Sequence, residues 1–549
     1  MLSVVLSVLG FLAVLGPLVI VHEFGHYIFA RIFRVKAEIF SIGFGPKLWA
    51  KQYGETELRV SAIPLGGYVK LLGEDGEANL PEDLQKRTLQ AQAPWRRFFI
   101  FFGGPLFNFI FAIFVFVAIL LIGEPQIASV FSRVVTGSPA AEAGFQSGDK
   151  VLAVNEKPVN KFEQIIIEVN EHPGKVMKFQ VRHLDAPQPA EISIVPKPVE
   201  GFTVYGESTK VGDIEGIYPH PRGNSAGISN PSTAAAKAGI KTGDKIIYIN
   251  GQSVQNWEEL ERLYRAVTPG SKFSLGVEAA ANSAQKLFDV SLSRPLKSHS
   301  LAVDTGLHSS ELFIDKTMPS SPAESAGLKP GDRVVTIRGQ EIESFFGLRD
   351  VVQISGEKDG QVVLTWERQG KIHSAKLIPT ASNVRDPVLK KTTQYTIGIV
   401  PMLSLAEAPT LIERTWNPIK LFGLATERMA VLTWRNLVSL KKMVTGDVSV
   451  ATLGGPILIG KIAGESIARG LIAFLTTMGI LSVGLGILNV LPVPVLDGGH
   501  LLLLGIESIR GKPLTIRQME IIQQVGLSLI LALMIVVIRN DIARLPIFN

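Results

Sequence analysis

The chain has 549 residues, too long for one ordinary domain, so several are expected. Its formal net charge of +6 is modest for that length and does not suggest nucleic-acid binding. The absence of cysteine excludes disulfides, thiolate zinc sites and cysteine nucleophiles, and leaves the compartment open.

Hydrophobicity is concentrated at the two ends, and the middle reads like soluble protein. Met1 to Val21 is a nearly uncharged apolar run, long enough to span a bilayer. A cleaved signal peptide would want a basic start and a small-residue cleavage site. Neither is present, so the run predicts a retained membrane helix with a kink at Pro17. It continues into Val21-His22-Glu23-Phe24-Gly25-His26. Histidines four apart share one helix face, so two imidazoles can hold one metal ion with Glu23 beside it as a general base. The bland alternative is a polar helix end whose histidines only cap or hydrogen bond. It leaves three ionisable residues at a membrane helix with no function to offset their cost.

Arg31, Arg34, Lys36, Lys47, Lys51, Lys86, Arg87, Arg96 and Arg97 make the next segment basic, which places it in the cytoplasm by the positive-inside rule. Within it, Phe40 to Pro46, Glu57 to Ile63 and Pro64 to Leu71 show glycine punctuation and partial alternation, the pattern of short strands and tight turns. A small folding hairpin explains them, and pattern alone favours it. An edge strand that pairs with an extended peptide is the functional alternative. Phe98 to Ile122 is a second span, with Gly103-Gly104-Pro105 near its start and Asn108 one turn on. These residues suit close helix packing as well as a site.

A repeat follows. Ser138 to Asn155, Ala234 to Gly251 and Ser321 to Gly339 each read as an Ala-rich helix, a glycine stop, a Gly-Asp turn and an apolar strand. Each then runs into a helix and further strands. The pattern resembles bacterial PDZ domains, which bind extended peptides or chain ends by strand addition. The copies are assigned to residues 124–200, 213–296 and 308–382. Residues 383–468 read as a linker and amphipathic helices, lying at a membrane surface or packed on the soluble domains.

Gly470 to Val490 is a third span, ending in Asn489-Val490-Leu491-Pro492-Val493-Pro494-Val495-Leu496-Asp497-Gly498-Gly499-His500. Asp497 is a lone carboxylate in an apolar stretch, and a metal ion is its natural partner. Pro492 and Pro494 break the helix. Arg510, Lys512 and Arg517 suggest a cytoplasmic loop, and Gln523 to Ile538 is a fourth span. The two membrane halves are residues 1–123, with a β-hairpin region at about 37–72, and 469–549. His22, His26 and Asp497 together would leave a position open for water, as catalytic zinc requires.

The His-Glu-Phe-Gly-His and Asn489-to-Gly498 motifs together resemble the site-2 protease family of intramembrane zinc proteases, in its bacterial branch with PDZ copies between spans two and three. The resemblance implies a core of four transmembrane helices with a membrane-associated β-hairpin region and, for this chain, three PDZ-like α+β domains. It implies that His22, His26 and Asp497 bind Zn2+ and that Glu23 moves a proton from the attacking water to the leaving amine. Asn489 would hold the substrate backbone. Gly43, Phe44 and Gly45 would re-enter the membrane. The strand containing Pro64, Leu65, Gly66, Gly67 and Tyr68 would pair with the unwound substrate, which reverses the pattern-only preference for that segment. Gly104 and Asn108 match the family's small-residue motif, and Asn108 is placed with the substrate-binding residues. Substrates would be single-span membrane proteins already trimmed outside the membrane, an anti-sigma factor above all, with remnant signal peptides as a second class. Peptides or chain ends would be ligands of the PDZ copies, which would face the periplasm from the inner membrane of a bacterium. The family carries two tandem PDZ copies where this chain shows three, which puts the shape of any size filter in doubt. Two rivals are a membrane metalloprotease whose third ligand is a glutamate, and a membrane-anchored PDZ scaffold without protease activity.

Overall fold

The computed structural model describes residues 2–73, 80–267, 273–280, 285–290, 300–385, 391–512 and 514–544. Helix α1 (Leu2–Ile32) carries Pro17 inside it and runs unbroken through the His22–His26 motif. The motif therefore lies within a membrane-length helix and not at its end. Among the described residues, four helices are long and apolar enough to cross a membrane: Val5–Ile32, Pro94–Ile122, Leu471–Val490 and Arg517–Ala543. Helix α2 (Pro94–Ile122) begins on a proline, whose missing N–H costs nothing in a first turn, and ends at Gly123 with φ 100°. After the soluble repeats come α3 (Pro418–Thr445), α4 (Pro456–Arg469), α5 (Leu471–Val490), α6 (Asp497–Arg510) and α7 (Ile516–Ala543). The chain is a multi-pass, multi-domain membrane protein.

Glycine sets the closest helix crossing. A Cβ on Gly25 of α1 would overlap the Gly103 carbonyl of α2, and one on Gly103 would fall 2.6 Å from the Gly25 carbonyl oxygen. Bare backbone lets two helices approach this closely in lipid, where packing rather than water exclusion drives association. Around that crossing, Val14 and Leu18 of α1 bury against Ala112, Phe116 and Ile119 of α2, Leu421 and Ala425 of α3, and Val483 and Ile487 of α5. Helix α7 is held along its length and at its C-terminal end. Gly526 lies against Pro494, and at the far end the buried Asp541 carboxylate accepts from the N–H groups of Gly455, Ile457 and Leu458 at the start of α4.

Between α1 and α2 a hairpin of β1 (Ala37–Tyr53) and β2 (Thr56–Leu71) folds back on itself. Phe40 pairs with Leu58 on one side and Val69 on the other, while Leu58 also pairs with Lys51. Two long strands thus make four short rungs, with residues 67–71 along one edge. The bends fall at Gly43 (φ 93°) and Gly45 (φ 83°), in the left-handed region that glycine enters without strain.

The soluble repeats share one local logic. The aspartate of each Gly-Asp turn accepts from a backbone N–H three residues back: Asp149 from Gln146 at 2.8 Å, Asp244 from Lys241 at 2.9 Å and Asp332 from Lys329 at 2.8 Å. The strand after each turn joins an antiparallel sheet over a buried core, around Phe131 and Phe179, Trp257 and Tyr264, and Leu364 and Trp366. Each unit runs past the boundary read from the repeat, because a strand from downstream closes it. Ile217–Tyr218 pairs with Arg133–Val134, His308–Ser309 with Ala226–Gly227, and Ile399–Pro401 with Ile314–Thr317. Part of the expected linker is therefore sheet, including the hairpin of Thr380–Arg385 and Lys391–Thr396. These strands are polar and alternate weakly, which is why they read as linker. The end of the assigned second copy, residues 291–296, lies outside the described residues.

Candidate metal centre

His22 and His26 project from one face of α1, and Asp497 is the first residue of α6. His22 Nε2 lies 3.2 Å from Asp497 Oδ2, and His26 Nε2 lies 3.4 Å from Asp497 Oδ1. The two imidazole Nε2 atoms are 3.3 Å apart, with their rings nearly perpendicular at 83°. Potential ligand atoms of all three residues fall within 4.8 Å of one another.

Each imidazole is oriented from behind. His26 Nδ1 donates to the Ile100 carbonyl of α2 at 2.8 Å, which fixes the tautomer and turns the Nε2 lone pair inward. His22 Nδ1 lies 3.0 Å from the Asn108 side-chain nitrogen, while Asn108 Oδ1 is buried and finds no partner among the described residues. Amide oxygen and nitrogen are alike in shape, so turning that group over sets Oδ1 against His22. Oδ1 then accepts from the Nδ1–H of His22, and its Nε2 lone pair faces the centre too. The Asn108 backbone is held in turn, since Ser482 Oγ donates to its main-chain carbonyl at 2.7 Å.

Glycine makes the room. A Cβ on Gly104 would overlap His26 Nε2 and lie 2.7 Å from His22 Cε1. On the other side, Pro492 and Pro494 follow the end of α5, and the chain turns back through Val495 at φ 84° to start α6. A Cβ on Gly498 would overlap the Val490 and Leu491 carbonyls, so the Asp-Gly-Gly sequence lets α6 start close against α5.

The centre opens on a cavity of about 580 Å³ bounded by α1, the strand edge and the Asp497 turn. Glu23, Phe44, Tyr68, Asn489 and His500 line it with the three ligand candidates. Asn489 Nδ2 lies 3.4 Å from His22 Nε2. Gly66 and Gly67 also line the cavity, and a Cβ on Gly67 would lie 3.0 Å from Glu23 Cγ, so the edge strand runs directly beside that carboxylate side chain. Phe44 stacks on Tyr68 at 6.2 Å with planes 7° apart. Gly43 and Gly45 form the bend beneath Phe44 and are not on the lining. Pro64 and Leu65 belong to β2 by backbone, while their side chains lie outside the described residues. Asn108 stands behind His22, away from the lining. The sequence reading passed over His500 and the Ile100 carbonyl. His500 lies one turn after Asp497, a spacing that would have shown it, whereas a backbone acceptor leaves no mark in composition.

Two imidazoles and a carboxylate converging inside a membrane-length bundle, beside a glutamate and an open cavity, define a membrane-embedded metallopeptidase. The family model described as Peptidase family M50 matches residues 10–533, and the chain belongs to that family. A relative from Escherichia coli named regulator of sigma-E protease is 30% identical over 550 residues, 99% of this chain and 100% of that protein. One from Neisseria meningitidis, named provisionally as a zinc metalloprotease, is 31% identical over 545 residues, 98% of this chain and 99% of its own. Among solved structures, the PDZ domain of an SdrC-like protein from Listeria monocytogenes matches 17% of this chain and 88% of its own, at 21% identity and a TM-score of 0.14.

Proposed function

We propose that this inner-membrane enzyme is a zinc peptidase that hydrolyses a peptide bond inside the membrane segment of a single-span protein, with His22, His26 and Asp497 as metal ligands and Glu23 as general base. The observation that carries this is the convergence of His22 and Asp497, 475 positions apart in sequence, to 3.2 Å in the bundle. The donor set fits zinc: two imidazole nitrogens and one carboxylate suit a borderline cation, both rings are oriented from behind, and Gly104 leaves space. Bound there, zinc would act as a Lewis acid on the scissile carbonyl and activate water at neutral pH.

The chain's own residues supply the rest. Glu23 accepts the proton of the attacking water and passes it to the leaving amine nitrogen. A helical substrate hides its peptide groups in its own hydrogen bonds, and unwinding it in lipid leaves those groups without partners. The edge at residues 67–71 replaces them by strand addition, and Asn489 holds the backbone near the scissile bond. The basic segment around the hairpin supports a centre near the cytoplasmic side. The three soluble units, read as PDZ-like, then face the periplasm, where they bind peptide ends and exclude untrimmed substrates. Anti-sigma factors are the expected substrates, with remnant signal peptides second.

The test uses full-length protein in detergent and a single-span substrate lacking its exterior domain. Glu23→Gln should abolish cleavage while zinc content stays at the wild-type level. Equal cleavage by the variant, or no bound metal in wild type, overturns the reading and favours a membrane-anchored scaffold.

A further inference from the structure

The cavity lining includes a polar side chain, His500, that the mechanism above leaves unused. His500 lies on α6 one turn after Asp497, so both residues lie on one face of that helix and line the same cavity. Its ring stacks on Phe101 of α2, with centroids 4.9 Å apart and planes 11° apart. Face stacking fixes the plane of an imidazole without occupying its nitrogens, because those atoms and their lone pairs lie in that plane. Among the described residues neither ring nitrogen of His500 has a hydrogen-bond partner. A half-buried polar ring, clamped in orientation and unpaired within a cavity, needs a reason.

The support on α2 makes the arrangement specific. Ile100 and Phe101 are consecutive: the carbonyl of the first accepts from His26, and the ring of the second carries His500. One turn of α2 thus sets the orientation of a ligand candidate and of the unused imidazole together.

We propose that His500 is a catalytic residue that donates a hydrogen bond from its ring N–H to the scissile carbonyl oxygen as negative charge develops there. When the water oxygen bonds to the carbonyl carbon, the carbonyl electron pair moves to that oxygen. His500 stabilises the charge without giving up its proton, so the Glu23 proton path is unchanged. A neutral imidazole carries the one N–H that this role needs. A donor already oriented in a water-poor site stabilises such charge with little reorganisation at the moment of reaction.

The experiment compares full-length wild type, His500→Phe and His500→Gln in detergent. It measures kcat and KM on the trimmed single-span substrate, bound zinc, and affinity for a phosphinic peptide that mimics the charged tetrahedral carbon. His500→Phe keeps a ring to stack on Phe101. It should retain zinc and KM while kcat falls at least about 100-fold and phosphinic-peptide affinity falls by a similar factor. His500→Gln, which keeps an N–H donor, should recover part of both. The inference is overturned if His500→Phe loses less than about threefold in kcat, if it loses zinc, or if KM rises while kcat holds. It rests on the peptidase reading, and the wild type separates the two. Wild type that fails to cleave removes both, whereas cleaving wild type beside an unimpaired His500→Phe removes only this one.

Discussion

Gly104 of α2 backs directly on His26 of α1, so that a single methyl group at position 104 would overlap the imidazole Nε2. The contact couples helix packing to chemistry. The same α2 turn that lets α1 approach through Gly103 and Gly25 also leaves the imidazole nitrogens of His22 and His26 their space. Gly104→Ala should therefore lower zinc affinity by at least about 10-fold, with loss of cleavage to match, while the protein still folds and inserts. Chelator competition on the purified variant measures this, and unchanged zinc affinity would show that the ring can move aside freely.

A second prediction comes from the first soluble unit, at the position where the other two copies carry glycine after the strand. Gly251 and Gly339 both sit at φ 78°, and the matching Glu156 is held at φ 68°. A side chain there costs about 1–2 kcal/mol of backbone strain that glycine avoids. Glu156→Gly should stabilise that unit by about 1 kcal/mol, reduced from the strain by the extra freedom glycine gains in the unfolded chain. Urea unfolding of the full chain, followed by proteolysis of that unit, should show the shift. A destabilised variant would mean that the Glu156 side chain makes up for its backbone.

How far the sequence could be read follows from where each interaction is encoded. The spans, the His22–His26 and Asn489–Gly498 motifs and the repeat are local patterns of side-chain type, so they stand out along the chain. The His22, His26 and Asp497 cluster was legible because each half is chemically odd in its surroundings. The strands that close each soluble unit were missed because their hydrogen bonds are backbone to backbone, as between Ile217–Tyr218 and Arg133–Val134, and their side chains carry no clear period. The double pairing of Phe40 was hidden for the same reason. Sequence shows which segments are extended, but not which side of a strand a distant segment will occupy.

The last prediction concerns pH and the joint between the second and third soluble units. His308 pairs across to the second unit through the strand it shares with Ala226–Gly227, and its ring lies 6.4 Å from that of Phe313. Burial pushes its imidazole down to about 4, helped by the charge of Arg333, against a weaker opposing pull from Glu367. Arg333 and Glu367 are themselves paired at 3.1 Å, and Ser229 of the second unit donates to that carboxylate at 2.6 Å. Folding therefore favours the neutral ring. The unfolded chain takes up its proton near the ordinary value of about 6.5, so stability is fully present above that value and falls as the pH drops towards 4. Between pH 7 and 4.5 the loss from this residue should be about 2–3 kcal/mol, and His308→Gln should remove most of that slope. Thermal unfolding of the full chain across this range, followed by proteolysis of residues 226–309, would measure it. An equal slope in the variant would assign the acid sensitivity to the carboxylates at the joint, Glu367 first among them.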